Sequence, residues 1–189
     1  KQADLAMYEA KSAGNNSIRF FDPLMQVSVE ERARLDNELR RAMRNGELVP
    51  YFQIQVDAQR HPVGAEILLR WKHPERGLIP PATFIPLAEE TGLIVPIGFD
   101  VFEAACTCLA RWSGHATTAP LTLSVNVSVG QFRNDTLIES FAAILARTGA
   151  NPARLKLEIT ESVFLDNNEG TDATFAALKK VGVRLALDD

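Results

Sequence analysis

The 189-residue sequence is short of several things, and each shortage excludes something. Its two cysteines, Cys106 and Cys108, are too few for a disulfide framework. Two apart in a helix-like stretch, they point in different directions, which argues against a bond between them and fits a reducing compartment. No apolar run approaches the roughly 18–20 residues that cross a bilayer. The opening "KQADLAMYEAK" lacks the apolar core of a signal peptide. Basic residues are in deficit, 20 Lys and Arg against 24 Asp and Glu, leaving a net charge of −4. A nucleic-acid polymer is therefore not the expected partner, whereas a small anion held by one or two arginines is still compatible with that balance. The three histidines, His61, His73 and His115, lie in loop-like contexts without ligand spacing and are expected at the surface. An initiator Met is missing too, so a chain cut from a longer one is expected.

What is present is an ordinary globular composition, 46% hydrophobic and 23% charged, enough for a real core. Residues 1–22 read as a short helix stopped at Gly14 and Asn15, then a strand at Ile18–Phe21, broken by Asp22-Pro23. So few residues bury no core alone and read as the tail of a preceding domain. Residues 29–45 predict a charged helix ended by Gly46, with Leu35, Leu39 and Met43 at intervals of four. Its Arg40, Arg41 and Arg44 are balanced by Glu30, Glu31 and Glu38, as on a solvated face.

From Leu48 on, strand-like and helix-like runs alternate. The strands are "LVPYFQIQV", "PVGAEILLRW", "LTLSVNVSV", "RLKLEITES" and "VRLALDD"; helices are expected near 97–112, 131–148 and 170–180, with Gly149 and Gly182 as stops. Such alternation predicts an α/β fold with a mainly parallel sheet. The link "DAQRH" is too short for a crossover helix, so the first two strands should form an antiparallel hairpin.

Side chains on a strand alternate faces. In the last three runs the odd-numbered positions are apolar, while the other face carries Asn126, Glu158 and Asp188 near the C-terminal ends. Glu66 and Arg70 share a face in the second run, Tyr51, Gln53 and Gln55 in the first. A sheet covered on both sides by helices tolerates no such polar face. A TIM-like barrel does, because its site lies at the C-terminal strand ends. Clustered carboxylates there need neutralising, and oxygen ligands favour Mg²⁺ or Mn²⁺ over zinc. Asp189 points away by strict alternation, but a turn at the strand end would let it serve a second metal, an arrangement suited to attack of water on a phosphodiester.

The stretches "AEILLRWKHPERGLIPPATFIPLAEETGLI", "LSVNVSVGQF", "LEITES" and "LALDD" resemble successive signatures of the EAL domain, the cyclic di-GMP phosphodiesterase family, and "ADLAMYEAKSAGNN" resembles the end of a GGDEF (diguanylate cyclase) domain. The resemblance implies a bacterial, cytoplasmic signalling domain of a parent protein with room for a membrane anchor and a homodimer. Its domains would be 1–22, the GGDEF tail, and 23–189, the N-terminal portion of an EAL domain. It further implies a TIM-like (β/α)8 barrel with an antiparallel first strand, of which five strands are present, and Mg²⁺- or Mn²⁺-dependent opening of cyclic di-GMP to linear pGpG. Carried over residue by residue, Glu66, Asn126, Glu158, Asp188 and Asp189 match metal ligands, Asp188 bridging. Arg70 matches a phosphate contact, Gln53 a neighbour of the nucleotide, and Glu161 the anchor of the loop after the aspartate pair. Ile67 replaces the usual alanine of the signature triplet on the outward face, and Ile54 replaces a usual proline. The general base is expected beyond Asp189. The alternative is a degenerate EAL module that binds cyclic di-GMP without cleaving it. Since a complete barrel takes about 250 residues, the 189 residues alone are expected to be inactive and poorly soluble.

Overall fold

The computed structural model describes residues 23–160, 163 and 169–188. The expectations for the 1–22 segment, for Glu161 and for Asp189 lie outside those residues. Packing divides the chain into two compact units, residues 1–41 and 42–189.

Helix α1, Pro23–Asn45, begins six residues before the expected position 29. A proline fits that start, because the first helical residue needs no amide donor. Along it, i,i+4 ion pairs join Arg34 to Glu38 at 3.2 Å and Arg40 to Asp36 at 3.0 Å. The charged helix is thus confirmed, although Glu38 is only 9% exposed rather than solvated. Gly46, at φ +68°, closes it.

The second unit is built on a six-stranded sheet: β1 Leu48–Val56, β2 Pro62–His73, β3 Gly77–Ile79, β4 Thr122–Val127, β5 Leu155–Thr160 and β6 Arg184–Asp188. The order is β1-β2-β4-β5-β6, with β3 on β2. β1 and β2 form the expected antiparallel hairpin, and β2, β4, β5 and β6 run parallel. In the hairpin turn Asp57 Oδ1 accepts from the amides of Gln59 (2.9 Å) and His61 (2.8 Å), while Arg60 takes a left-handed φ of 66°. This is the expected α/β segment of a TIM-like barrel. The short β3 is an addition.

Between the strands run α2 Pro81–Glu90, α3 Ile94–Trp112, α4 Val129–Phe132, α5 Leu137–Thr148 and α6 Glu169–Val181. The single helix expected over 131–148 is two. Asn134 Oδ1 accepts from Thr136 N at 3.0 Å and Thr136 Oγ1 at 2.6 Å, a local turn that competes with helical hydrogen bonding. Gly149 (φ +68°) and Gly182 (φ +95°) end α5 and α6 as expected.

The helices cover the face of the sheet bearing Leu123, Val125, Val127, Leu155, Leu157 and Ile159. Burying each such side chain stabilises by about 1.5–3 kcal/mol. Phe102 of α3 stacks on Phe141 of α5 with ring centroids 3.6 Å apart. Ile67 belongs to this core at 3% exposure, so the larger residue of the signature triplet packs on the helix side, as its parity predicts. One histidine departs from expectation. His73 is buried at the end of β2, edge-on to Trp71, with Nδ1 accepting from the amides of Glu75 (3.2 Å) and Arg76 (3.1 Å). It organises the β2–β3 turn.

Candidate functional site

With the apolar positions turned to the helices, the opposite face of the sheet receives the polar ones. The register brings three of them together. Gln53 of β1 is opposite Glu66 of β2. Glu66 is level with Ser124 of β4, and Asn126, one pleat further along, is level with Glu158 of β5. Asn126 Nδ2 donates to Glu66 Oε1 at 2.8 Å. Glu158 is buried at 8% exposure, and Lys156 Nζ lies 2.8 Å from its Oε1. The backbone of Asp188 on β6 pairs with Thr160.

A short reciprocal cap fixes the end of β4. Ser128 Oγ accepts from the Gln131 amide at 3.2 Å, and Gln131 Oε1 accepts from the Ser128 amide at 3.1 Å. This capping box turns the chain into α4 immediately after Asn126. Gln131 is buried beneath α3, where Gly98 leaves room for it. The signal was present in the sequence as Ser-x-x-Gln, and these supporting residues are additions to the expected set.

Arg70 is part-buried and donates from Nη1 to its neighbour's carbonyl, Leu69 O, at 2.9 Å. Its Cζ lies 6.0 Å from the Tyr51 ring centroid and Lys72 Nζ 5.9 Å, so two cations of β2 flank one aromatic ring of β1. Ser124 Oγ lies 3.4 Å from Gln55 Oε1 on the same polar face. A cavity of about 300 Å³ opens beside Asn126, lined in part by Leu68, Ile85, Ile97 and Thr160. A larger one, about 720 Å³, lies between β1 and α3 against Phe52 and Trp112; none of the expected site residues lines it.

The donor set suits a hard cation. Among the described residues no group of three His, Cys, Asp or Glu converges, and the oxygen donors brought together are Glu66, Asn126 and Glu158. With Nδ2 given to Glu66, the amide of Asn126 keeps Oδ1 as an acceptor. Two carboxylates and an amide oxygen match Mg²⁺ or Mn²⁺ better than a thiophilic metal.

An EAL domain model matches residues 36–189. The chain belongs to the EAL family. It is similar, at 40% identity across 99% of its length, to the bifunctional diguanylate cyclase/cyclic di-GMP phosphodiesterase MucR of Pseudomonas aeruginosa, of which it covers 27%. It is similar, at 34% identity over 100% of its length, to the cyclic di-GMP phosphodiesterase PdeR of Escherichia coli, of which it covers 28%. The chain thus spans about a quarter of the length of these curated relatives. The PaMucR phosphodiesterase solved as a c-di-GMP complex superposes with a TM-score of 0.78 at 38% identity, covering 82% of this chain and 63% of that one. Within the EAL domain, the described site residues occupy one face of four consecutive strands of the sheet, Gln53 and Glu66 at the hairpin and Asn126 and Glu158 beyond it. Among the described residues no helix is long and apolar enough to cross a membrane.

Proposed function

We propose that the domain containing this chain hydrolyses cyclic di-GMP to linear pGpG with a divalent metal, Mg²⁺ or Mn²⁺. The observation that carries the reading is the Glu66–Asn126 hydrogen bond with Glu158 level with Asn126 on the next strand. It gathers oxygen donors from three neighbouring strands on one face of the sheet, open at Asn126 and buried at Glu158. Glu66, Asn126 and Glu158 would hold the metal, joined by Asp188 and Asp189 on the family resemblance. A bound divalent cation supplies charge neutralisation for a phosphodiester under attack by water. In that hydrolysis a water oxygen bonds to phosphorus, the bond to the 3′ oxygen breaks, and that oxygen takes a proton.

The remaining roles fall to side chains of the hairpin. Arg70 offers a planar cationic fork suited to a substrate phosphate, and Tyr51 beside it offers a flat apolar face. Gln53, level with Glu66, would face the nucleotide. Glu161 would anchor the loop after the aspartates. Residues 1–22 would be the end of a GGDEF domain, in keeping with the two activities in the name of MucR. The domain would act in the cytoplasm of a bacterial cell, with a homodimer as a further expectation.

The test is hydrolysis of cyclic di-GMP by the full-length protein with Mn²⁺, Mg²⁺ or chelator, followed as pGpG release. Glu66→Ala should abolish turnover while leaving the fold intact. Undiminished turnover in that variant under saturating metal would overturn the ligand assignment. Binding of cyclic di-GMP by the wild-type protein without any cleavage would support the receptor alternative.

A further inference from the structure

Lys156 has no role in the reading above, yet it makes the closest charged contact at the site. It precedes Glu158 by two residues on β5, so both side chains leave the same face of the strand. Lys156 is level with Ser124 on one side and Arg184 on the other, one pleat nearer the N-terminal end than Glu158. Its ammonium reaches along the strand to Glu158 Oε1 at 2.8 Å. The glutamate side chain is 10% exposed and the lysine side chain 29%, so water screens the pair only in part. A carboxylate this buried requires a partner, and removing that partner leaves an uncompensated charge.

We infer that Lys156 is a built-in counter-ion of the candidate metal centre: it positions Glu158 in the metal-free protein and lowers the affinity of the site for a divalent cation. The inference rests on the metal reading of Glu66, Asn126 and Glu158. A cation accepted by Glu158 would meet a positive charge already on one of its oxygens, and at a few ångströms in a partly desolvated site like charges repel strongly. The ammonium must swing away or the cation must bind against it. Either way part of the metal's attraction for Glu158 is cancelled. Lys156 is a positioning residue in this scheme. It sets how much free metal the site needs before it fills.

The experiment is a Mn²⁺ titration of the full-length, metal-free protein, reading free Mn²⁺ by electron paramagnetic resonance, with thermal unfolding recorded alongside. Lys156→Met is expected to bind Mn²⁺ at least about tenfold more tightly than wild type and to melt lower without metal, because Glu158 has lost its partner. Lys156→Gln, which keeps a donor for Oε1 but no charge, should show the same gain and decides the matter if the methionine variant does not fold. Lys156→Arg should keep wild-type affinity. Unchanged or weaker Mn²⁺ binding in the neutral variants overturns the inference. Glu66→Ala separates the two levels: if it weakens wild-type Mn²⁺ binding while neutral variants at 156 gain nothing, only the role of Lys156 falls. If Glu66→Ala leaves Mn²⁺ binding untouched, the metal reading falls with it.

Discussion

A single methyl group on α3 is expected to disturb the turn that follows β4. A Cβ added to Gly98 would overlap Nε2 and Cδ of Gln131. Gln131 is 3% exposed, and its Oε1 accepts from Ser128 N and Ser128 Oγ, each at 3.1 Å. It has nowhere to withdraw without breaking the capping box. Gly98→Ala gains about 1 kcal/mol of helix propensity. Against this stand about 1–3 kcal/mol for overpacking, about 1 kcal/mol for the lost cap and about 1–3 kcal/mol for a buried amide left unpaired. The net expectation is a destabilisation of about 2–6 kcal/mol. Urea unfolding of the full-length protein measures it. The decisive comparison is the double variant. In a Gln131→Ala background the obstacle is gone, so Gly98→Ala should cost far less or stabilise, a strong non-additivity between the two sites. Additive effects, or a single-variant cost below about 1 kcal/mol, would refute the collision.

Three other outcomes are expected. Arg70→Ala should raise the Kd for cyclic di-GMP about 10- to 100-fold, the worth of a charge-assisted contact, with little change in Mn²⁺ affinity; calorimetry reporting the reverse would remove Arg70 from the phosphate. Partial desolvation, and then the neighbouring Glu103, raises the pKa of Asp100, an exposed residue, above its ordinary 3.8. The folded state therefore holds that proton more tightly than the unfolded chain, so the group favours folding at acid pH and loses this contribution as pH rises through the raised value. Asp100→Asn should raise the Tm only slightly at pH 7, because solvent screens an exposed carboxylate, and by nothing near pH 3, and a uniform shift across that range would contradict the desolvation argument. Desolvation pushes the Cys106 thiol up to about 12 and raises that of partly exposed Cys108 as well. Thiol reagents at pH 8 should leave Cys106 unmodified until the protein unfolds, as mass spectrometry of native and denatured samples would report.

The strands that carry the site were legible because an apolar residue recurs at every second position of 122–127, 155–160 and 184–188. The hairpin was legible from the length of its link. Helix α2 was hidden behind Pro80, Pro81 and Pro86, which read as breakers. In place, Pro80 caps the helix and Pro81 occupies its first turn, where a missing amide costs nothing. β3, three residues long, is too short for any period to show. Parity correctly assigned Glu66 and Asn126 to one face, but contact is a property of register, which sequence alone left open. The same limit hid Lys156: its face was legible, its pairing with Glu158 was not. His73 was misread because a residue at a strand end looks like a loop residue until the turn it supports is known.

The register also explains why the candidate ligands sit where they do along their strands. Measured on the sheet, Glu66 is level with Ser124, two residues short of Asn126. Asn126 and Glu158 are level, and Asp188 lies two residues past Ala186, the partner of Glu158. From β2 to β6 the positions therefore climb by four residues over three strand-to-strand steps. On a flat sheet that drift would scatter them. Strands of an eight-stranded barrel with shear 8 are tilted by about 36°, which amounts to a shift of about one residue per strand. A climb of about three residues is thus what a constant height above the barrel floor demands, and the observed drift is within one residue of it. The backbone positions of these residues fall on one ring around the barrel mouth. It follows that shifting β5 by two residues against β4, which by parity would keep every apolar side chain on the core face, would still take Glu158 out of that ring, so facing alone does not secure the site and register must be held as well.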